Sequence, residues 1–335
     1  MQVAIIGAGL AGLSCAQRLQ SEGLRPVLFD KGKGPSGRMA TRTVKTALGD
    51  VRFDIGAQYF TAQAPQFARQ VAQWVEDGVV TSWPEAGPHA WIGLPSMSSP
   101  LGAIAAAQNV NWNSFVGGIS RKNDGWRLHL EQAEEGPFDV VVIALPAEQA
   151  TPLLAFNEST FMLQSASSVS TPCWCGMFAF DEPLNSKSSI FRETGIVSWA
   201  CRNTAKPGRS GLDAWVVQAD PIWSQTNLEV DQANIAEILL QNLFALTGTR
   251  RLAPIVSQAH RWRFSKSFGL GLGALWNSTI GLGVCGDWLL APRVEGAWLS
   301  GFGLAQSILQ EPLLNKGRSL RITADQFFCL SHLPQ

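Results

Sequence analysis

Residues 2–31, QVAIIGAGLAGLSCAQRLQSEGLRPVLFDK, decide the fold. Val3, Ile5 and Ile6 make a short apolar run, Leu10, Leu13, Ala16 and Leu19 recur at helical spacing, and Gly23 closes the helix. RPVLFD follows as a second strand, so the stretch reads as a parallel βαβ unit, the opening of a doubly wound sheet. Gly7-x-Gly9-x-x-Gly12 lies directly between strand and helix. Gly7 permits a tight turn, Gly9 lets the backbone approach a pyrophosphate, and Gly12 allows close helix–strand packing. Leu10 and Ala11 open a helix whose free N–H groups and dipole favour an anion. Asp30, eighteen residues beyond Gly12 and followed by Lys31, ends the second strand where a ribose hydroxyl can be accepted.

A second match to the glycine pattern, Gly281-x-Gly283-x-x-Gly286, lacks this context. DWLLAPR after it contains Pro292 and begins no helix, so a strand running into Gly286–Asp287 is expected and only one dinucleotide-binding unit. Gln66 to Glu76 reads as a helix, residues 79–100 as a proline-rich surface excursion, Asn111 to Ser120 as a strand, and GWRLHLE as an alternating strand. DVVVIALP reads as a strand buried on both faces, with a helix from about Ala147. From about Ser167 to Phe268 strands alternate with polar loops around one strong helix, expected from a Thr226/Glu229 capping box to Leu246 with Gly248 as its stop. TIGLGVCGDWLL and VEGAWLSGFGLAQSILQ return to strand, loop and helix. The expected architecture is α/β: a Rossmann-like, doubly wound parallel sheet formed by residues 1–78, 101–150 and 270–335. An inserted α+β substrate-binding domain, residues 79–100 and 151–269, is built on a mostly antiparallel sheet.

Composition bounds the function. The 335 residues carry 26 Lys and Arg against 26 Asp and Glu and are 46% hydrophobic, which fits two packed domains and leaves little field for nucleic acid or anionic lipid. The apolar run DVVVIALPA is far shorter than the roughly 18 residues of a membrane span. Residues 1–12 already form strand and turn, leaving no secretory leader, so a soluble cytoplasmic protein is expected. The six cysteines (Cys15, Cys173, Cys175, Cys201, Cys285 and Cys329) form no C-x-x-C and lie at no zinc spacing, so neither metal nor disulfide framework is expected. Cys173 and Cys175 read as buried thiols on one strand face.

SGRMATR, residues 36–42, places Gly37, Arg38, Met39 and Arg42 just beyond the second strand, where an arginine fork can neutralise a pyrophosphate. Together with GAGLAG, Asp30-Lys31, FDIGAQYF and GDW…RVEGAWLSG, this loop resembles FAD-dependent enzymes of the flavin amine oxidase superfamily, and within it most of all the renalases. The resemblance implies a glutathione-reductase-like FAD domain whose first motif holds the ADP half. It implies that Gly56, Ala57, Gln58 and Tyr59 lie beside the isoalloxazine, and that Gly286 and Asp287 meet the ribityl chain. Val294, Glu295, Gly296 and Ala297 would present a helix N-terminus to the flavin pyrimidine edge, and the backbone of Val116 would meet adenine. A helix dipole there stabilises the negative charge of reduced flavin. The sequence departs from the family in having Ser36-Gly37 for a double glycine, and its one tyrosine, Tyr59, cannot build a two-tyrosine amine cage. APRVEG has no tethering cysteine, so the FAD is expected to be non-covalent, and no C-terminal membrane anchor is expected.

A flavin performs the hydride chemistry itself, so the protein needs few acids or bases. His89, His129 and His332 read as surface residues, whereas His260 shares a strand face with Trp262 and Phe264. Trp199, alternating with Cys201 and Asn203, and Trp288, next to Asp287, are candidate walls for a planar substrate, with core packing as the alternative for both. Tyr59 and His260 complete the candidate set at the reacting end. Arg202, Arg261 and Arg263 could meet substrate phosphates or form a solvated face. Three functions remain open. One is a renalase-like oxidase of 2- and 6-dihydro isomers of NAD(P)H, using O2 and releasing H2O2. The others are an amine or amino-acid oxidase and a non-catalytic FAD-stabilised binding protein. The expected partners are a small molecule (dihydropyridine dinucleotide or amine) and O2, with neither nucleic acid nor membrane; the oligomeric state stays open.

Overall fold

Val3–Ile6 lies inside a six-stranded sheet of the computed structural model, which describes residues 1–35, 37–311 and 313. Ser36, Cys329, His332 and most of the expected domain segment beyond 311 lie outside the described residues. The strand order is Leu275–Asn277, Leu282–Val284, Val140–Ile143, Val3–Ile6, Val27–Phe29 and Asn109–Asn111, all parallel except the first. Alternation sends Val3, Ile5, Val140 and Val142 to one face and Ala4, Ile6, Val141 and Ile143 to the other. The first face carries helices Leu10–Ser21 and Val294–Gln310, and the second a three-stranded antiparallel sheet, Val116–Lys122, Gly125–Leu130 and Glu134–Phe138. The two helices touch so closely that a Cβ on Gly301 would lie 1.9 Å from the Ala11 carbonyl oxygen.

The second sheet is antiparallel throughout, in the order Ile190–Thr194, Val197–Arg202, Asp213–Ala219, Ser170–Phe180 and Val256–Ser267. Helix Gln232–Thr247 covers one face, and the hairpin Thr41–Thr46/Gly49–Asp54 packs its Val51 and Phe53 on the other. An early segment of the chain thereby becomes the floor of the later sheet.

Three local expectations are corrected. The stretch 79–100 is not a surface excursion: Trp83, Ile92 and Met97 are fully buried in the core that also holds Trp199 and Cys201. The strand expected over Asn111 to Ser120 is broken. Asn113 turns at φ 55° while its N–H and that of Ser114 bond to the Gly32 and Asp30 carbonyls, so pairing resumes at Val116. The long helix starts at Gln232, where the Asp231 carboxylate accepts the Ala233 N–H; Thr226 ends a separate helix, Pro221–Thr226, and Glu229 binds arginines instead. Gly248 stops the helix in the left-handed conformation, as its sequence position predicts.

Gly301→Val forces apart two helices that meet backbone to backbone, and a loss of about 1–3 kcal/mol in denaturant-unfolding stability is expected. Unchanged stability would show that the contact can relax freely.

Candidate active site

The first glycine turn is built for close backbone approach. Gly7 holds φ +103°, and a Cβ on Gly12 would sit 2.0 Å from the Gly7 carbonyl oxygen. Leu10 and Ala11, both buried, begin the helix, and the N–H groups of Gly9, Leu10, Ala11 and Gly12 have no acceptor among the described residues. Asp30 is fixed beside them, its carboxylate accepting the Ala8 N–H at 2.7 Å and the Gly32 N–H at 2.7 Å. Lys31 is exposed, and Val116 is buried at the start of its strand.

Across the turn, Gly37–Met39 forms a short 3₁₀ segment with Met39 buried. Arg38 Nη2 donates to Asp287 Oδ1 at 2.5 Å, while Arg38 Nη1 is buried with no partner among the described residues. Burial pushes the Asp287 carboxyl up and the Arg38 charge opposes it. An orphaned guanidinium donor beside unpaired N–H groups fits an anionic dinucleotide, so the residues present suit FAD. Arg42 does not complete a fork. It stands exposed on the hairpin strand, near enough for its charge to act on His260.

The last helix contributes similarly. The N–H groups of Val294, Glu295 and Gly296 have no acceptor among the described residues, and the first bond runs from Ala297 N–H to the Arg293 carbonyl. Gly296 is required where its Cα passes the Ala291 carbonyl, 2.1 Å from any added Cβ. The buried Glu295 carboxylate turns away from its own helix and accepts the Gln63 and Ala64 N–H groups, each at 2.7 Å, at the start of helix Pro65–Glu76. Gly286 N–H is held by Ser300 Oγ at 2.9 Å.

Between these arms lies the turn Gly56–Tyr59. Ala57 N–H bonds to the Arg38 carbonyl, and the Gly56 carbonyl accepts from Gln58 Nε2 and Gln218 Nε2. Tyr59 leans on Trp199 with ring centroids 5.6 Å apart, Trp83 meets the same indole edge-on at 6.3 Å, and the Arg192 guanidinium lies 4.7 Å above the Trp199 ring.

Trp288 is no wall. It is fully buried, and its Nε1 donates to the Leu145 carbonyl. His260 packs edge-on to Trp262 at 4.7 Å, and burial, followed by the Arg42 charge, lowers its pKa to about 4. Arg202 pairs with Asp213, and Arg261 and Arg263 share Glu229, so the substrate-phosphate role is not built for these three. Sequence reasoning missed Lys206 and Arg209, which reach the fully buried Asp54 carboxylate at 3.0 and 2.8 Å. KPGR reads locally as a polar turn, and nothing in its pattern marks a buried ammonium.

Residues 5–74 match a NAD(P)-binding Rossmann-like domain and residues 85–309 the family described as flavin containing amine oxidoreductase. Over 203 residues the chain is 27% identical to the tRNA 5-methylaminomethyl-2-thiouridine biosynthesis bifunctional protein MnmC of Magnetococcus marinus, covering 45% of this chain and 30% of that protein. Over 120 residues it is 28% identical to 15-cis-phytoene desaturase of Synechococcus elongatus, covering 33% and 25%. The matches therefore span a third or less of these relatives' lengths. Among solved structures, cyclohexylamine oxidase from Brevibacterium oxydans IH-35A superposes with a TM-score of 0.68 at 13% identity over 92% of this chain and 99% of that one. A triple mutant of putrescine oxidase gives the same TM-score, identity and coverage. At such identity the likeness is one of fold.

Asp30→Ala and Arg38→Ala each remove a fixed group at the dinucleotide cradle, and purified variants are expected to be depleted in visible flavin absorbance relative to protein. Full occupancy in both would displace the ADP half from this turn. His260, ordinarily near 6.5 and held at about 4, takes up its proton in the unfolded chain first. Its share of stability is therefore lost as pH falls from about 6.5 to about 4. His260→Gln is expected to flatten that part of the stability–pH curve; an unchanged slope would assign the acid sensitivity elsewhere.

Proposed function

The chain belongs to the flavin containing amine oxidoreductase family, and from that premise we propose that it is a renalase-like oxidase of the 2- and 6-dihydro isomers of NAD(P)H. It is an FAD-dependent oxidoreductase. The observation that carries the finer reading is the charge around Trp199: the aromatic surface is bordered by the guanidinium of Arg192, and its neighbour Trp83 by the ammonium of Lys206 at 5.2 Å. The nearby carboxylate of Asp54 is already held by two cations. A protonated amine meets repulsion there, whereas a planar ring bearing phosphates meets positive charge and the half-buried ring of Tyr59, which the buried Trp199 backs.

FAD held by the Gly7–Gly12 turn, Asp30 and Arg38 would supply a two-electron acceptor able to pass its electrons on to O2. The donor carbon of the dihydropyridine loses a hydride and the ring becomes the aromatic pyridinium of NAD(P)⁺. The O2 takes two electrons and two protons to give H2O2. Because only a hydride leaves the donor, no protein base is needed at that carbon. The chain's work is orientation: Tyr59, backed by the buried Trp199, holds the ring, the exposed Arg192 holds an anionic group, and His260, neutral at neutral pH, adds no charge. The single tyrosine of the sequence, tilted 41° to an indole, offers no parallel aromatic cage for an amine.

Anaerobic addition of the 2- and 6-dihydro isomers is expected to bleach the flavin, with air restoring the colour and releasing peroxide. Amines and amino acids are expected to leave it oxidised. Bleaching by amines alone would replace this reading with an amine oxidase, and no bleaching in either arm with a role in which FAD only stabilises the fold. Trp199→Ala removes the indole that backs Tyr59 and is expected to raise the isomer concentration needed for half-maximal bleaching rate by up to roughly tenfold, the worth of an aromatic pair.

A further inference from the structure

Asp54, Lys206 and Arg209 form a charge cluster sealed inside the protein, their side chains 0%, 0% and 4% exposed. Asp54 Oδ2 takes both cations, while Oδ1 accepts Thr41 Oγ1 at 2.7 Å and Met97 N–H at 3.1 Å, so the carboxylate is fully engaged. Among the described residues, two cations against one anion leave one positive charge unbalanced. The pairs Arg38–Asp287 and Arg202–Asp213 are each balanced and do not offset it.

The surplus points at one turn. Lys206 Nζ donates to Gln58 Oε1 at 3.1 Å, and the same oxygen accepts Cys201 Sγ at 3.3 Å. Gln58 Nε2 donates to the Asp54 and Gly56 carbonyls, and Gln218 Nε2 reaches the Gly56 carbonyl from the antiparallel sheet. With Ala57 N–H on the Arg38 carbonyl, both polar groups of the Gly56–Ala57 peptide are tied down. The next two N–H groups, of Gln58 and Tyr59, have no acceptor among the described residues and are left for a ligand.

We propose that Lys206 is a positioning residue for the flavin: through Gln58 it sets the Gly56–Tyr59 turn, and its unbalanced charge favours the anionic reduced cofactor. Charge placed in a dry, preorganised site acts with little screening. The inference rests on the cofactor lying against this turn and holds whatever the hydride donor is.

The test is reductive titration of the FAD-loaded protein against a reference dye, with no substrate present. Lys206→Met leaves the Asp54–Arg209 pair intact and neutral, and is expected to shift the reduction equilibrium at least tenfold toward oxidised flavin, about 30 mV for a two-electron couple. Asp54→Asn raises the net charge and is expected to shift it the other way, and Lys206→Met combined with Asp54→Asn to return it toward the unmodified protein. Should Lys206→Met not fold, Asp54→Asn and Arg209→Met carry the same test of sign. A potential that does not move with the charge count, or moves the same way in all variants, would overturn the proposal and leave Lys206 a packing residue.

Discussion

A carboxylate with no exposed surface stays ionised only where counter-charge and hydrogen bonds replace water, and Asp54 meets that condition by gathering three distant segments. Thr41 comes from the opposite strand of its hairpin, Met97 from the proline-rich stretch, and Lys206 and Arg209 from the loop after strand Val197–Arg202. Burial raises its pKa, but the two cations and the two hydrogen bonds outweigh it, and the net shift is downward. Removing one partner of a buried ion pair costs about 3–5 kcal/mol, so the three segments are bound to one arrangement. The turn Gly56–Tyr59 begins two residues later and inherits its position from that arrangement.

The cradle follows a simpler rule, in which two helices that cross at Ala11 and Gly301 keep their first N–H groups free of acceptors among the described residues. Helix Leu10–Ser21 has no acidic residue in its first turn, and the one acid in the first turn of Val294–Gln310, Glu295, caps a neighbouring helix instead. Both helix starts therefore remain net donors, which is what a phosphate bridge and an electron-rich ring edge need. Arg38 spans the two arms, its carbonyl on the Gly56–Tyr59 turn and its guanidinium on Asp287.

What could be read in the sequence divides along the range of the interactions. Local rules showed the βαβ opening, the stop at Gly248 and the strand Val140–Ile143, because each depends on residues a few positions apart. Trp288 was ambiguous from sequence, since an indole beside a cofactor motif and an indole under it have the same local pattern. The helix start was displaced because Glu229, which suits a capping box, has a stronger use between Arg261 and Arg263 on a strand far along the chain. Lys206 was invisible for the same reason: its burial is a property of Asp54, Gln58 and Trp83, none of them near it in sequence.

The strand order also orders events on the ribosome. The antiparallel sheet draws on one continuous stretch, Ser170–Ser267, and can close as that stretch emerges. The parallel sheet cannot: Val140–Ile143 pairs with Val3–Ile6 on one side and waits for Leu282–Val284 on the other. Until then a fully apolar strand keeps an open edge, the kind of template on which nascent chains stick to one another. Gly286, Asp287 and the helix from Val294 arrive later still, so the arm of the cradle that they supply is in place only after that edge has been sealed.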